Sequence, residues 1–459
     1  MGALVRHPSN RVKQGAAILA LLFFASCTSV SSSKNIQPQI NSLVASKRLD
    51  RAAQFLDEGP GVYGPNNELL YWLDKGLVLH LAGRYQDSTG AFENAKRLYD
   101  NLYGHSLTEV AGSVAVNDYW KKYRGEDIEY VLVNVFQALN FAAMGNVEEA
   151  LADMRNVDLQ LKLINARYGA NNKNVYRDDA FVRLLAGILY EAQGDAASLN
   201  DAFISNVRAW ELYEGEYQKQ YKLTAPDFLK ANLLTTAFSM GGEEFEKYKG
   251  KFSGVGLVRP VDKQSQAEVF LIQYTGFVSL KVADALLFPI DGRHLGKISF
   301  PKYIDRYSEV KSSVFIASAG GVEVTMPTQV GEDIGAIAKQ ILAGRKALMM
   351  AKAALRPLGK YAVEKTIEGA VRQKNGDLAA DLVTVLSNVY NFATEEADVR
   401  SWATLPNEIR IARLLLVPGS YEFFVNDLDE AKNLIERRSL GVVELKGGQK
   451  KFLVSRSYR

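Results

Sequence analysis

LYWLDKGLVLHLAGRYQDSTGAFENA, residues 70–95, carries apolar and small residues at helical spacing on both sides of one break, Gly83-Arg84. Leu70, Leu73, Gly76 and Leu79 precede the break, and Tyr85, Ser88, Phe92 and Ala95 follow it. This spacing predicts an amphipathic helix, a glycine turn and an antiparallel return helix. The pattern comes back twice. Val135, Ala138, Phe141 and Gly145 lead into Val147, Ala150 and Met154, and Leu184, Gly187, Tyr190 and Gly194 lead into Phe203 and Ala209. Seven positions before each turn glycine stands a small residue, Gly76, Ala138 or Gly187, where two helices need to approach closely. Residues 40–250 are therefore expected to be an α-helical unit.

The first hairpin resembles the tetratricopeptide repeat, with Gly76, Gly83, Tyr85, Phe92 and Ala95 on that motif. The resemblance implies a stacked solenoid with a concave face suited to a protein segment. Turn glycines 62 and then 49 residues apart depart from the 34-residue period of that repeat, and a plain helical bundle with glycine caps would show the same turns. Aromatic residues are frequent here. Tyr119, Trp120, Tyr123 and Arg124, just ahead of Glu126-Asp127, form the best local candidate for a partner-binding surface. His80, on an apolar helix face, and His105, beside a loop glycine, read as structural histidines.

The texture changes after residue 250. Short β-rich runs appear at 267–274, 278–282, 297–300, 313–317 and 322–325, and again at 408–416, 421–425, 441–445 and 451–455. Turn chemistry separates them. Val417-Pro418-Gly419-Ser420 and Lys446-Gly447-Gly448-Gln449 are expected to close hairpins. The fold class is thus α+β and multidomain: a helical unit at 40–250, and a β-rich sandwich or barrel at 251–459 interrupted by a helical insertion at about 332–390. Pro357 is expected to kink or end the first inserted helix. From Lys339 to Lys374 the net charge is +7. Arg345, Lys346, Lys352, Arg356 and Lys360 make this the candidate element for an anionic surface, lipid or polymer, with a solvated positive face as the plainer alternative.

The N-terminus reads as an export signal. Arg6, Arg11 and Lys13 precede GAAILALLFF, residues 15–24, and then Ala25, Ser26 and the chain's one cysteine, Cys27. Ten apolar residues are about half of what a membrane-spanning helix needs. The segment resembles a bacterial lipoprotein signal, with Phe24 where leucine is usual. That resemblance implies cleavage after residue 26, lipidation of Cys27, a flexible tether over 27–39, and delivery to the outer membrane, facing the periplasm, since Thr28 rather than Asp follows the cysteine. The export segment also explains the charge of the 459-residue chain. Its net +3 is all in residues 1–26, while residues 27–250 carry −6 and the rest +6. The basic excess is no argument for nucleic-acid binding.

No catalytic constellation is visible. There is no Gly-x-Ser-x-Gly elbow, no phosphate loop and no histidine pair at metal spacing, and the carboxylate pairs (Glu148/Glu149, Asp178/Asp179) are adjacent, so they do not share a helix face. Neither an enzyme activity, a metal nor a cofactor is expected. Ala397-Asp398-Val399-Arg400-Ser401-Trp402-Ala403-Thr404-Leu405-Pro406 and Pro418-Gly419-Ser420-Tyr421, with the N-terminal signal and the helical hairpins, resemble an uncharacterised family of bacterial tetratricopeptide-like outer-membrane lipoproteins. The resemblance implies a non-catalytic scaffold that binds another envelope protein and is linked to cell-wall synthesis. Peptidoglycan or anionic-lipid binding through the basic 339–374 region is the alternative, and an unrecognised hydrolase is the second alternative.

Overall fold

A computed structural model describes residues 31–104, 121–168, 176–291 and 293–458. The helical part runs α1 (Ser31–Ala45), α2 (Leu49–Leu56), α3 (Glu68–Leu81), α4 (Tyr85–Gly104), α5 (Asp127–Met144), α6 (Val147–Tyr168), α7 (Ala180–Gln193) and α8 (Ala196–Leu212). It continues through a π-helical turn (Tyr213–Tyr217) into α9 (Gln218–Tyr221), α10 (Asp227–Met240), α11 (Gly242–Lys251) and α12 (Pro260–Ser265). The three sequence hairpins are α3–α4, α5–α6 and α7–α8. Their turn glycines, Gly83, Gly145 and Gly194, have φ of 73°, 85° and 79°, a left-handed conformation that side chains resist. Ser31–Ala45 is helical, so most of the expected flexible tether at 27–39 is part of the fold.

The small residues act as the spacing implies. A Cβ on Gly76 would lie 2.4 Å from the Phe92 ring, and one on Gly187 would lie 2.5 Å from Asn206 Oδ1. Gly76→Ala is therefore expected to cost about 1–3 kcal/mol by overpacking, against the usual gain from removing a helix glycine. Gly90→Ala on α4, where nothing lies within 4 Å, should instead gain about 0.5–1 kcal/mol. Urea midpoints moving in opposite directions would bear this out; two shifts of the same sign would contradict it.

The strands are β1 (Ala267–Thr275), β2 (Leu280–Pro289), β3 (Leu295–Ile304), β4 (Ser312–Ala319), β5 (Val322–Pro327), β6 (Gln329–Asp333), β7 (Glu408–Leu416), β8 (Gly419–Leu428), β9 (Leu434–Leu445) and β10 (Lys450–Arg456). Strand β6, too short and too polar to read, is the one the sequence reading lacks. Two four-stranded sheets, β10-β1-β7-β6 and β5-β4-β8-β9, face each other as a sandwich, and β2–β3 is a separate two-stranded hairpin. The segments 417–420 and 446–449 do not close hairpins. Each carries the chain from one sheet to the other, because β7 and β10 belong to the first sheet and β8 and β9 to the second. Strand β10 lies parallel to β1.

Strand β1 is buried along its whole length. Val269 and Leu271 face Phe315, Ala317, Phe423 and Val425 of the other sheet. Alternate residues Phe270, Ile272 and Tyr274, with Ile409, Ile411 and Phe452, join the helices in one continuous core. The expected boundary at residue 250 does not divide the core. Helices, inner sheet and outer sheet are three layers.

Between β6 and β7 stand α13 (Ile334–Asn375) and α14 (Asp377–Thr394), close to the expected insertion. Pro357 does not end α13, which runs through it and stops at Gly376, with φ of 85°. Residues 357 and 353 lie on the buried face of α13.

Candidate functional site

The inner face of the helical hairpins is occupied by the chain itself. Trp402, fully buried, packs edge-on against Phe92 and Phe136, with ring centroids at 6.1 and 5.7 Å. Its backbone N–H donates to Glu129 Oε1 at 2.7 Å, and Gln37 Nε2 donates to Ser401 O at 2.7 Å. Asp74 accepts from Thr404 Oγ1 at 2.5 Å and from Tyr63 OH at 2.7 Å. His80 lies beside this seam, buried between Asn140 Oδ1 (2.6 Å from Nδ1) and Tyr274 OH (2.8 Å from Nε2). An amide oxygen only accepts, so Nδ1 carries the proton and Nε2 accepts from the tyrosine. Burial holds the His80 pKa down to about 4. As the sequence implied, it is a structural histidine. Segment 397–406 thus seals the surface that a solenoid would offer to a partner.

Burial pushes the Asp74 carboxyl up to about 6, and burial with the neighbouring Glu126 charge pushes Glu129 up to about 7. A carboxyl whose folded pKa is raised stabilises the fold below its unfolded pKa and loses that contribution as pH rises through the folded value. The stability of wild type relative to Glu129→Gln should therefore fall by about 3 kcal/mol between pH 4.5 and pH 8. Urea unfolding of both proteins at these two pH values measures it, and parallel pH profiles would exclude it.

Only part of the candidate partner surface falls within the described residues. Tyr119 and Trp120, like His105 and Cys27, lie outside the described residues. Tyr123 is buried, donates its hydroxyl to Glu129 Oε2 at 2.6 Å and lies under the Arg400 guanidinium, so it belongs to the core. Arg124 is half-buried next to it. Nor does the basic set act as one free face. Arg345 pairs with Glu126 at 3.0 Å, Lys360 with buried Glu395 at 3.5 Å, and the Lys346 ammonium sits over the Phe300 ring. The side chains of Lys352 and Arg356 lie outside the described residues.

What the structure does assemble is a projecting module, the β2–β3 hairpin packed on α13 and α14. Its tip is fastened by a polar cluster around buried His294. Asp291 Oδ1 accepts from the His294 and Arg293 amides and lies 2.7 Å from His294 Nδ1, while Tyr361 OH donates to Asp291 Oδ2. Nε2 lies 3.2 Å from Glu364 Oε1 and 3.9 Å from Glu368 Oε2. The cavity beside them, lined by Lys360, Asn388 and Glu395 among others, has a volume of about 10 Å³, room for one water rather than a substrate. Among the described residues no group of three His, Cys, Asp or Glu side chains is placed to hold a metal ion. The cluster's chemistry is that of a latch between the hairpin tip and the helices. Glu364 and Glu368, four apart on one helix face, were its visible half in the sequence; their histidine partner is about 70 positions away.

The module's outer surface is apolar. More than half of the large apolar side chains exposed among the described residues sit on β2, β3, α13 and α14. On α14, Leu378, Leu382, Val385, Leu386 and Val389 are all at least half exposed, Leu378 at 89%. At about 100° per residue they form one stripe, roughly opposite the buried Ala380 and Thr384. Protein families, curated proteins and solved structures offer no match to this chain.

Proposed function

We propose that the chain is a lipid-anchored envelope protein, held through acylated Cys27 on the periplasmic side of the outer membrane, and that it works by docking rather than by catalysis, in support of cell-wall synthesis. The single observation that carries the docking role is the outward apolar face of the module, since exposed apolar surface gathered on one element marks an interaction site. The N-terminal basic residues, the short apolar run and Cys27 support the anchor. The docking element is α13–α14 with β2–β3, not the helical hairpins, whose inner face is filled by residues 397–406.

The chain's one cysteine makes a direct test practicable, because acylation blocks its thiol. Maleimide should label Tyr307→Cys rapidly in native envelopes and Leu382→Cys slowly, and it should label both rapidly in the same variants exported without the acyl anchor. Equal labelling of the two positions in native envelopes would refute docking through this face. Fatty-acid incorporation into wild type but not into Cys27→Ser tests the anchor separately.

A further inference from the structure

We propose that the occupant of the α14 face is the bilayer surface itself, with the helix lying in the membrane plane and its aliphatic stripe immersed at the headgroup–acyl boundary. This rests on the docking reading above and names its partner. Four observations converge on it.

The first is orientation. Helix α14 buries Ala380 and Thr384 against the module and turns Leu378, Leu382, Val385, Leu386 and Val389 outward. A helix closing a soluble body would do the reverse. The second is composition. Among the described side chains the stripe is leucine and valine, without the tryptophan, tyrosine or arginine that anchor protein–protein hot spots. Aliphatic area of this kind partitions into lipid in proportion to its size.

The third is extent. One helix of 18 residues is about 27 Å long, and five side chains cover a few hundred Å². A stable dimer buries about 800 Å² on each partner, so a second copy seated on this stripe alone falls short. An interfacial helix needs no more, provided another anchoring signal acts with it, as an acylated Cys27 would. Among the described residues no helix is long and apolar enough to cross a membrane, so the contact is with the surface.

The fourth is charge. Each acidic residue at the start of α14 faces an arginine: Asp377 lies 3.2 Å from Arg372, which also holds Glu368 at 2.9 Å, and Asp381 lies 2.9 Å from Arg293. The end of α13 beside them adds Lys374, exposed to solvent. Among the described residues, the acidic side chains of this edge each have a cationic neighbour, which lowers their repulsion of an anionic headgroup.

The test is sedimentation of the mature chain, residues 27–459 carrying Cys27→Ser, with vesicles of phosphatidylcholine, alone or mixed seven to three with phosphatidylglycerol. The comparison is with the same chain also carrying Leu382→Gln and Leu386→Gln. Both positions are exposed, so far-UV circular dichroism should be unchanged. The glutamine variant is expected to partition about tenfold more weakly onto the mixed vesicles. Equal partitioning of the two chains would overturn the proposal. So would a lipid-free dimer by analytical ultracentrifugation that the glutamine variant converts to monomer, which would assign the stripe to a second copy. If vesicles fail to distinguish the chains while Leu382→Cys stays protected in native envelopes, docking stands and the bilayer falls as its occupant.

Discussion

Trp402→Ala should cost the fold about 3–5 kcal/mol, the loss expected for deleting a fully buried aromatic ring. The effect should also reach beyond its own loop. Trp402 belongs to the C-terminal part of the chain but packs against Phe92 and Phe136 of the helical hairpins, and its backbone amide is held by Glu129. Helical and strand signals are therefore expected to disappear in one urea transition, moved to lower urea. The indole Nε1 is buried with no hydrogen-bond partner among the described residues. Trp402→Phe, which removes that orphaned donor and keeps a ring, should accordingly cost well under half as much. A loss below about 1 kcal/mol for Trp402→Ala, or a second transition retaining the helices, would contradict a shared core.

The other large effect is expected from the buried ion cluster that joins the layers. Glu191 on α7 pairs with Lys263 on α12 at 3.0 Å and with Lys450 on β10 at 3.2 Å. Glu268 on β1 meets Lys263 at 3.3 Å, Arg413 on β7 at 3.5 Å, and Lys450. Burial alone would raise the Glu191 carboxyl, yet Lys263 and Lys450 hold it down at about 2. Carboxylate and cation are therefore charged together in the interior, and neither tolerates loss of the other. Glu268→Ala leaves three cations facing one carboxylate and should cost about 3–5 kcal/mol, whereas removal of an exposed pair such as Lys247–Glu244 should leave the urea midpoint almost unchanged. Urea unfolding separates the two cases. Similar small losses from both would mean that water reaches the cluster and screens it.

Local chemistry was legible in the sequence. Turn glycines 83, 145 and 194, the small residues that let helices approach, the 408–416 strand and the inserted helices follow from patterns within a few turns of chain. The long-range pairings were not, because nothing local encodes them. Tyr274 gives no sign that it seats against His80, and Tyr123, read as part of a contact surface, gives no sign that Arg400 and Glu129 close over it. The sharp turns at 417–420 and 446–449 read as hairpins because a turn does not reveal which sheet receives the next strand. The α14 stripe was not read from the sequence, and its direction could not have been, since an apolar face looks the same whether it points into a core or away from one. Of the two effects expected of Pro357, ending the helix was overruled by tertiary context: α13 packs along the module on both sides of the proline.

Residues 397–406 pack on the helical hairpins as part of one body, and the docking we propose passes to the α13–α14 module for that reason. Amide hydrogen exchange on the full chain tests it most directly. Segment 397–406, β1 and α5 should exchange through the same global opening, with equal opening free energies, while α14 opens locally at lower cost. Exchange of 397–406 through its own low-energy opening, with α3 and α5 still protected, would mean instead that the segment detaches and leaves the helical face free for a partner.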